Sequence, residues 1–359
     1  MQPRLEPLDF ESLAGWADDD HQAAFCAFER SARAIAAGHD HPRPARSAPP
    51  ELIASARSAL CTSVADRQDA RRFLEERFRP FRVVPEKGAG FLTGYYEPCV
   101  PASRVETQEF RWPILARPTD LVTFGLDLPP AGFPNGVSGA RRLGDGSFVP
   151  YADRARIEAE RRDPIVWVRD AVEAFLIQVQ GSAQVEFPDG SRARLSYDGR
   201  NGLPYTSIGK ILIESCEIVE GAMSLASLKA WLRRDVARGL DLMRRNRSFV
   251  FFKLVDDFDP ALGPIAAAGV PLTPLRSIAV DRRIWAYGLP FWIDTELPWA
   301  DETPRPLRRL MIAQDTGSAI VGPARADLFF GSGDKAGARA GAIRHAVEFI
   351  VLLPRGDQP

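Results

Sequence analysis

Three aspartates lie among glycines in one short segment of the chain, LMIAQDTGSAIVGPARADLFFGSGD. Asp315 stands in AQDTGSAI, Asp327 in RADLFFGSGD, and Asp334 at the end of the segment. Each follows or ends a predicted short strand, beside glycines that let the backbone approach a ligand. Carboxylates held close together on a β scaffold are what acid catalysis on a glycosidic bond requires. The segment is therefore the first candidate for chemistry.

One carboxyl of such a pair must hold a proton at neutral pH. A partly apolar environment achieves this because it penalises the charged form of the acid. The sequence favours Asp327 for this role, since its neighbours are apolar: Ala326, Leu328, Phe329 and Phe330. Perturbed carboxyls of this kind are typical of functional sites.

Two other interpretations of these aspartates have to be weighed. Aspartates near glycines often cap turns through hydrogen bonds to the backbone, and this stays open for Asp315 and Asp334. The Asp-Thr-Gly at 315 to 317 also opens an aspartic protease site, which needs two carboxylates that share a proton. The chain has one Asp-Thr-Gly, and the nearest second copy, at Asp294, continues with Thr and Glu. The protease interpretation is therefore disfavoured.

Length and composition predict an ordinary globular protein. The 359 residues suggest about two domains, and 45% hydrophobic with 26% charged residues predicts a sizeable core. A net charge of -1 does not indicate a nucleic-acid partner. No apolar run approaches the roughly 20 residues that span a bilayer, and the first residues lack the basic and apolar regions of a secretory signal. We expect a chain without a membrane span.

The cysteines and histidines do not predict a metal site. The cysteines show no zinc-site spacing, and we expect them to be reduced and buried, although a disulfide between Cys26 and Cys61 stays open. His39 and His41 flank Asp40 in a Pro-rich stretch, which is more typical of a mobile loop than of a metal site. We predict neither metal nor cofactor.

The order of predicted elements indicates one β domain interrupted by another. The first ~85 residues show the apolar spacing of helices, and Asp20 can cap a helix that ends at Gly38. Short strands and Gly or Pro turns follow, then a second helical interval from Thr206 to about Arg245, and then strands again. The predicted fold class is mainly β with N-terminal helices.

The clearest predicted hairpin is FLIQVQGSAQVEFPDGSRARLSYDG, whose two alternating runs are joined by Pro-Asp-Gly. Read as a strand, its first run places Gln178, Gln180 and Ser182 on one face. This polar stripe would suit the hydroxyl and acetamido groups of a saccharide. An exposed strand face is the plainer interpretation.

Several motifs together resemble the membrane-bound lytic murein transglycosylase A family. The aspartate segment resembles that family's three-aspartate domain. Other family motifs are matched in the same order from Phe91 to Leu353: GFLTGYYEP, FLIQVQGSAQVEFPDG, NGLPYTSIGK, NRSFVFFKL and SIAVDRRIWAYGLPFWI. The resemblance thus covers most of the chain.

The resemblance implies a double-psi β-barrel domain with an inserted second β-barrel domain and a glycan groove between them. The first domain would comprise residues 1–97 plus 246–359, and the insert residues 98–245. It also implies peptidoglycan glycan strands as the substrate and a periplasmic or outer-membrane location, although no signal peptide is visible in this sequence. It indicates no cofactor and no particular protein partner.

The resemblance further implies that a single aspartate, Asp327, cleaves the β-1,4 bond between N-acetylmuramic acid and N-acetylglucosamine. Asp315 would support it, and the product would carry a 1,6-anhydro end. In GFLTGYYEP, Thr93 offers a hydroxyl, Gly94 close approach, and Tyr95 and Tyr96 aromatic faces, of which at most one faces the sugar. The full set of predicted substrate-binding residues is Thr93, Gly94, Tyr95, Tyr96, Gln178, Gln180, Ser182 and Asp334.

Two other functions stay open from the sequence. An inverting glycan hydrolase would use Asp315 to activate water and Asp327 to donate the proton, with the carboxyls roughly 6.5 to 9.5 Å apart. A non-catalytic wall-binding module would use the same surface without turnover. Asp327→Asn would then change nothing that an assay of cleavage measures.

Overall fold

The computed structural model describes residues 3–38, 40–85, 88–127, 129, 131–301 and 303–356. The chain forms two compact units. The first unit comprises Met1–Tyr95, Ala261–Gly331 and Ala342–Pro359, and the second comprises Tyr96–Pro260 and Ser332–Gly341. The chain therefore leaves the first unit and returns to it twice. His39, one of the two histidines considered for a metal, lies outside the described residues.

The helices of the described chain, in order, are α1 His21–Ala37, α2 Pro50–Cys61, α3 Arg67–Arg77, α4 Arg154–Glu160, α5 Ala171–Gln180, α6 Ile208–Glu214, α7 Leu225–Arg234, α8 Val236–Arg245 and α9 Asp334–Gly341. The strands are β1 Arg4–Pro7, β2 Phe78–Val84, β3 Gly90–Glu97, β4 Cys99–Pro101, β5 Trp112–Leu115, β6 Leu121–Thr123, β7 Gly139–Arg142, β8 Phe148–Pro150, β9 Pro164–Val168, β10 Ser182–Glu186, β11 Arg192–Arg200, β12 Val250–Val255, β13 Ser277–Val280, β14 Pro290–Leu297, β15 Arg305–Asp315, β16 Arg325–Ser332 and β17 Arg344–Pro354. Short 3-10 helices lie at Phe10–Ser12, Trp16–Asp18, Gly125–Asp127 and Glu220–Ala222.

The sequence correctly predicts the N-terminal helices. Asp20 caps α1 by accepting a hydrogen bond from the Ala23 amide at 3.0 Å, and Gly38 ends it with a left-handed φ of 65°. Asp66 caps α3 in the same way. That helix ends at Arg77, earlier than the apolar spacing suggests, because the chain enters β2 at Phe78.

A closed six-stranded barrel forms the body of the first unit. Its strands follow the order β17, β14, β15, β13, β16 and β3, and the pairing of β3 with β17 closes the ring. Strand β13 runs parallel to β15 and antiparallel to β16. The 11-residue β17 also pairs with β2, which extends the sheet to β1. Closure leaves the barrel strands without unpaired edges.

The second unit contains a four-stranded sheet in the order β12, β11, β10, β4, together with five helices of the inserted segment. The hairpin of β10 and β11 turns at Pro188-Asp189-Gly190 as predicted. Residues 246–260 belong to this unit, whereas the predicted insert ends at 245. The reason is that β12 pairs with β11 along six residue pairs.

The predicted polar stripe on the first strand of this hairpin is wrong. Residues 171–180 form helix α5, capped by Asp170 and ended by Gly181 at a φ of 85°. On a helix, positions two apart point in different directions, so Gln178 and Gln180 share no face with Ser182, which begins β10. The side chain of Gln178 is buried, and Gln180 accepts a hydrogen bond from the Tyr96 amide at 3.0 Å.

The cysteine prediction is half correct. Cys26, Cys61, Cys99 and Cys216 are all free, but each is exposed instead of buried.

Among the described residues, no helix is long and apolar enough to cross a bilayer.

Candidate active site

The strand register of the barrel brings Asp315 and Asp327 to the two sides of one residue. Ala279 of β13 pairs with Asp315 on β15 and with Asp327 on β16. Residues in register on adjacent strands present their side chains to the same face of a sheet. The two aspartates therefore point to one face, with their Cα atoms roughly 10 Å apart across two strand spacings.

Asp327 is held by a chain of two hydrogen bonds. The Thr93 hydroxyl on β3 donates to Oδ1 of Asp327 at 2.7 Å. Arg325, two residues before Asp327 on β16, donates from its guanidinium to the same hydroxyl, also at 2.7 Å. The guanidinium carbon lies 5.3 Å from the centre of the Phe91 ring. A cation is thus linked to the carboxyl through one hydroxyl group.

Asp315 has a different set of partners. The Tyr95 hydroxyl donates to its Oδ2 at 2.9 Å, and the Ala267 amide donates to its Oδ1 at 3.2 Å. The Tyr95 ring packs on Phe329 with the ring centres 5.4 Å apart. Thr93 and Tyr95 are two residues apart on β3, so one face of this strand serves both carboxyls.

Burial raises the pKa of both carboxyls above the ordinary value of an aspartate. For Asp327, desolvation is the largest cause, and the negative charge of Asp315 adds to it, whereas Arg325 and the Thr93 hydrogen bond lower the pKa. For Asp315, desolvation again raises the pKa, against backbone hydrogen bonds that lower it. Burial, and then Asp315, raise the pKa of Tyr95 well above that of a free phenol. Tyr95 is therefore a neutral donor.

A buried amide fixes the end of the strand that carries Asp315. Gln314 is fully buried, accepts a hydrogen bond from Ser277 of β13 at 2.5 Å and donates to the Ala27 carbonyl at 2.9 Å and the Ser31 hydroxyl at 2.8 Å. These bonds attach helix α1 to β15 one residue before the carboxyl. Each polar atom of this buried amide thus has a partner, which is the condition for burying a polar side chain.

The structure places the other predicted site residues on other elements or on other faces. Gly94 alternates with Thr93 and Tyr95 on β3, so it lies on the opposite face of the strand. Asp334 begins helix α9 of the second unit. Tyr96 is buried in the second unit, where its ring leaves no room for a Cβ at Gly337. Of the eight predicted substrate-binding residues, Thr93 contacts the carboxyl of Asp327 and Tyr95 that of Asp315.

Two residues beside the carboxyls, Arg325 and Ala267, were not predicted from the sequence. Arg325 could have been found because positions 325 and 327 of a strand share a face, so a cation two residues from a candidate acid is a readable signal. Ala267 acts through its backbone amide, which leaves no signal in the side-chain pattern. Within the described residues no group of three His, Cys, Asp or Glu is placed to hold a metal ion.

Two parts of the chain match two known domain families. Residues 91–253 match the MltA specific insert domain and residues 276–353 match the 3D domain. The structure of a membrane-bound lytic murein transglycosylase from Agrobacterium tumefaciens is 35% identical, with a TM-score of 0.85, and the match covers 98% of both chains. That of Escherichia coli MltA with bound chitohexaose is 26% identical, with a TM-score of 0.69 and 99% of this chain and 95% of that chain covered.

A curated relative agrees. The membrane-bound lytic murein transglycosylase A of Vibrio cholerae is 31% identical over 265 residues, which cover 72% of this chain and 64% of the relative. The match therefore spans a little under two thirds of that relative's length. The barrel, the paired aspartates and these matches define a protein of the 3D-domain class. The chain belongs to the membrane-bound lytic murein transglycosylase A family.

Proposed function

We propose that this protein is a lytic transglycosylase that cleaves the β-1,4 bond between N-acetylmuramic acid and N-acetylglucosamine in peptidoglycan. The observation that carries the proposal is Asp327. It is a half-buried carboxyl with a raised pKa, held on a barrel face with Asp315 nearby in register. Family membership and the names of the relatives support the same substrate.

In the first step Asp327 acts as the general acid. Its Oδ1 accepts the Thr93 hydrogen bond, so the proton is carried on Oδ2. That proton passes to the bridging oxygen as the bond from C1 of N-acetylmuramic acid to this oxygen breaks. The N-acetylglucosamine fragment leaves with a hydroxyl group. The muramic acid ring is left with oxocarbenium character, and Asp327 becomes a carboxylate.

In the second step Asp327 acts as the base. It takes the proton from the C6 hydroxyl of the same muramic acid ring while O6 forms a bond to C1. The product is a 1,6-anhydro end, the acid has its proton again, and no water is consumed. Because the nucleophile belongs to the substrate, its approach carries little entropic cost. A single carboxyl is therefore sufficient.

Asp315 supports the positive charge that develops on the sugar ring. The hydroxyl of Tyr95 and the amide of Ala267 fix its position, and its own negative charge raises the pKa of Asp327. Thr93 thus donates a hydrogen bond to Asp327, and Tyr95 donates one to Asp315. Contacts to the glycan by Gly94, Tyr96, Gln178, Gln180, Ser182 and Asp334 stay predictions. To contact the glycan through Oε1, Gln180 would have to give up the hydrogen bond that it accepts from the Tyr96 amide.

We also infer the finer architecture and the location. The parallel pairing of β13 with β15 inside a closed six-stranded ring supports a double-psi barrel for the first unit, and the match to the insert domain supports an inserted barrel for the second. The relatives are named membrane-bound murein enzymes, which supports action at the cell wall, in the periplasm or at the outer membrane.

The proposal is tested by mass spectrometry of fragments released from purified sacculi by the wild-type protein and by Asp327→Asn. We expect anhydro-terminated fragments from the wild type and none from the variant. Asp301→Asn, at an exposed position of the first unit, is the matched control and should behave as the wild type. Reducing-end fragments would mean that water attacks, with Asp315 as its base. No release by the wild type would favour a wall-binding module.

A further inference from the structure

The direction of the hydrogen bond between Arg325 and Thr93 is fixed by chemistry. A guanidinium can only donate, so the Thr93 hydroxyl must accept from Arg325 at 2.7 Å. The single hydrogen of that hydroxyl is then available for Oδ1 of Asp327, also at 2.7 Å. The chain of bonds runs in one direction, from Arg325 through Thr93 to Asp327.

The guanidinium favours this direction, because its bond occupies one of the two lone pairs of the hydroxyl and polarises the group as a donor. Without the guanidinium, the hydroxyl is freer to rotate and accept instead of donate. A protonated Asp327 could then place its proton on Oδ1 and give it to Thr93. The acid would hold its proton in an internal hydrogen bond, and this bond would stabilise the neutral form. Such a proton is not available to the bridging oxygen of the substrate. The same residues would be present, but the acid would be protonated on the wrong oxygen.

We propose that Arg325 is a positioning residue for the cleavage: acting through Thr93, it keeps Oδ1 of Asp327 an acceptor and so assigns the proton to Oδ2. The inference rests on the function proposed above for Asp327. Arg325 touches neither the reacting bond nor, in the described contacts, the carboxyl itself. Its charge also lowers the pKa of Asp327 directly, so the part of its effect that passes through the Thr93 hydroxyl has to be separated by removing that hydroxyl.

The guanidinium is held firmly enough for this role. One of its nitrogens donates to the Ala326 carbonyl and another to Thr93, and its carbon lies 5.3 Å from the centre of the Phe91 ring. This two-pronged contact needs the planar fork of an arginine. A lysine would keep the positive charge but lacks the rigid fork that holds both bonds in a fixed geometry. Arg325→Lys is therefore expected to restore part of the function of a neutral variant.

The first test measures the titration of Asp327 directly. Nuclear magnetic resonance of protein labelled at the aspartate carboxyl carbons, assigned with Asp327→Asn, follows the pKa without any turnover. We expect Arg325→Met to raise the pKa of Asp327 by about one unit, since a cation and a fixed donor are both lost. Arg305→Met is the matched control. Arg305 pairs with exposed Asp301. It lies ten residues, roughly 34 Å, before Asp315 along β15. The control variant should cause no shift.

The second test asks whether Arg325 acts through Thr93. Thr93→Val removes the hydroxyl that can trap the proton, so Arg325→Met should shift the pKa less in this background than in the wild type. The rate should follow the same pattern. Arg325→Met is expected to lower kcat about tenfold or more with little change in KM, and to cause a smaller further loss in Thr93→Val. Arg325→Lys should recover part of kcat.

If Arg325→Met lowers kcat by the same factor in the wild type and in Thr93→Val, Arg325 acts independently of Thr93, and the inference is overturned. An unshifted titration in Arg325→Met with the thermal midpoint of the wild type would also overturn it. If the wild type releases no anhydro fragments but the titration shifts as expected, the proposed function fails, whereas the control of the proton on Asp327 by Arg325 stands. A loss of folding in Arg325→Met would move the test to Arg325→Lys and Thr93→Val, whose titrations must then both shift upward.

Discussion

Two carboxyls of this molecule, one fully buried and one half-buried, are held in opposite ways. Glu97, in the second unit, is fully buried and accepts bonds from Arg194 at 2.8 and 3.2 Å, from Gln184 at 2.9 Å and from Ser332 at 2.7 Å. Asp327, in the first unit, accepts one side-chain hydrogen bond in the described structure, and its cation is one hydroxyl away. Both oxygens of Glu97 are thus occupied by donors, whereas Asp327, whose pKa is raised by burial, can exchange a proton.

The comparison shows what separates a structural carboxyl from a reactive one in the same chain. A buried charge is tolerated when its lone pairs are filled by a cation and by donors in good geometry. An acid catalyst needs the opposite, because a fully paired carboxylate holds no proton at neutral pH. Stability and activity should therefore respond in opposite ways when each carboxyl is replaced by its amide.

The largest expected effect is on catalysis by Asp327→Asn. We expect cleavage to fall by about 100-fold or more, because the amide can neither give nor take the proton. The thermal midpoint should be unchanged or higher, since the variant removes a desolvated acid with few partners. Release of anhydro fragments and thermal unfolding are measured on the same preparation. A large loss of stability would contradict the contrast with Glu97.

Glu97→Gln should act on stability first. It leaves the buried Arg194 without its carboxylate, which costs about 3 to 5 kcal/mol in comparable cases. Denaturant unfolding measures this loss, and Glu186→Gln, which breaks the exposed pair with Arg192, should cost less than about 1 kcal/mol. If both variants lose equally little, burial does not distinguish the two pairs.

Tyr95→Phe should have an intermediate effect on the rate. It deletes the hydroxyl that donates to Asp315 but keeps the ring that packs on Phe329. The pKa of Asp315 should rise, because that hydrogen bond lowers it, and less negative charge would then support the sugar cation. We expect about a tenfold loss of kcat with little change in KM. A change in KM alone would instead make Tyr95 a substrate-binding residue.

The smallest expected effect is on stability in acid and concerns His21. This ring is fully buried, lies 4.6 Å from the Trp16 ring, and neither of its nitrogens has a hydrogen-bond partner among the described residues. Burial lowers the pKa of His21 in the folded protein. Below the unfolded pKa of about 6.5 the unfolded chain therefore binds the extra proton, so stability falls as pH falls.

Thermal unfolding at about pH 7.5 and about pH 5.5 tests this. The wild type should lose more stability between the two than His21→Leu, which cannot bind the proton. An equal loss in both proteins would assign the acid sensitivity to carboxyls instead.

Some elements can be predicted from a few neighbouring residues, whereas helix α5 could not. Asp20 and Gly38 mark the ends of α1, and Pro-Asp-Gly marks the hairpin, because caps and turns depend on a few neighbouring residues. The alternation of FLIQVQ suggested a strand, yet Asp170 and Gly181 cap a helix there. Helix α5 is buried on most sides, and a buried helix lacks the polar face that would reveal its period.

The sequence by itself determined the family, the candidate acid Asp327 and its partner Asp315, since the motif and its apolar neighbours are contiguous in the chain. Only the tertiary structure decided which residues surround that acid. Thr93 lies 234 positions away from it along the chain, and Tyr95 lies 220 positions from Asp315. Such contacts arise from barrel closure and strand register, which depend on pairings across the whole chain. One segment of the sequence thus predicts the two aspartates, but it does not predict the residues that hydrogen-bond to them.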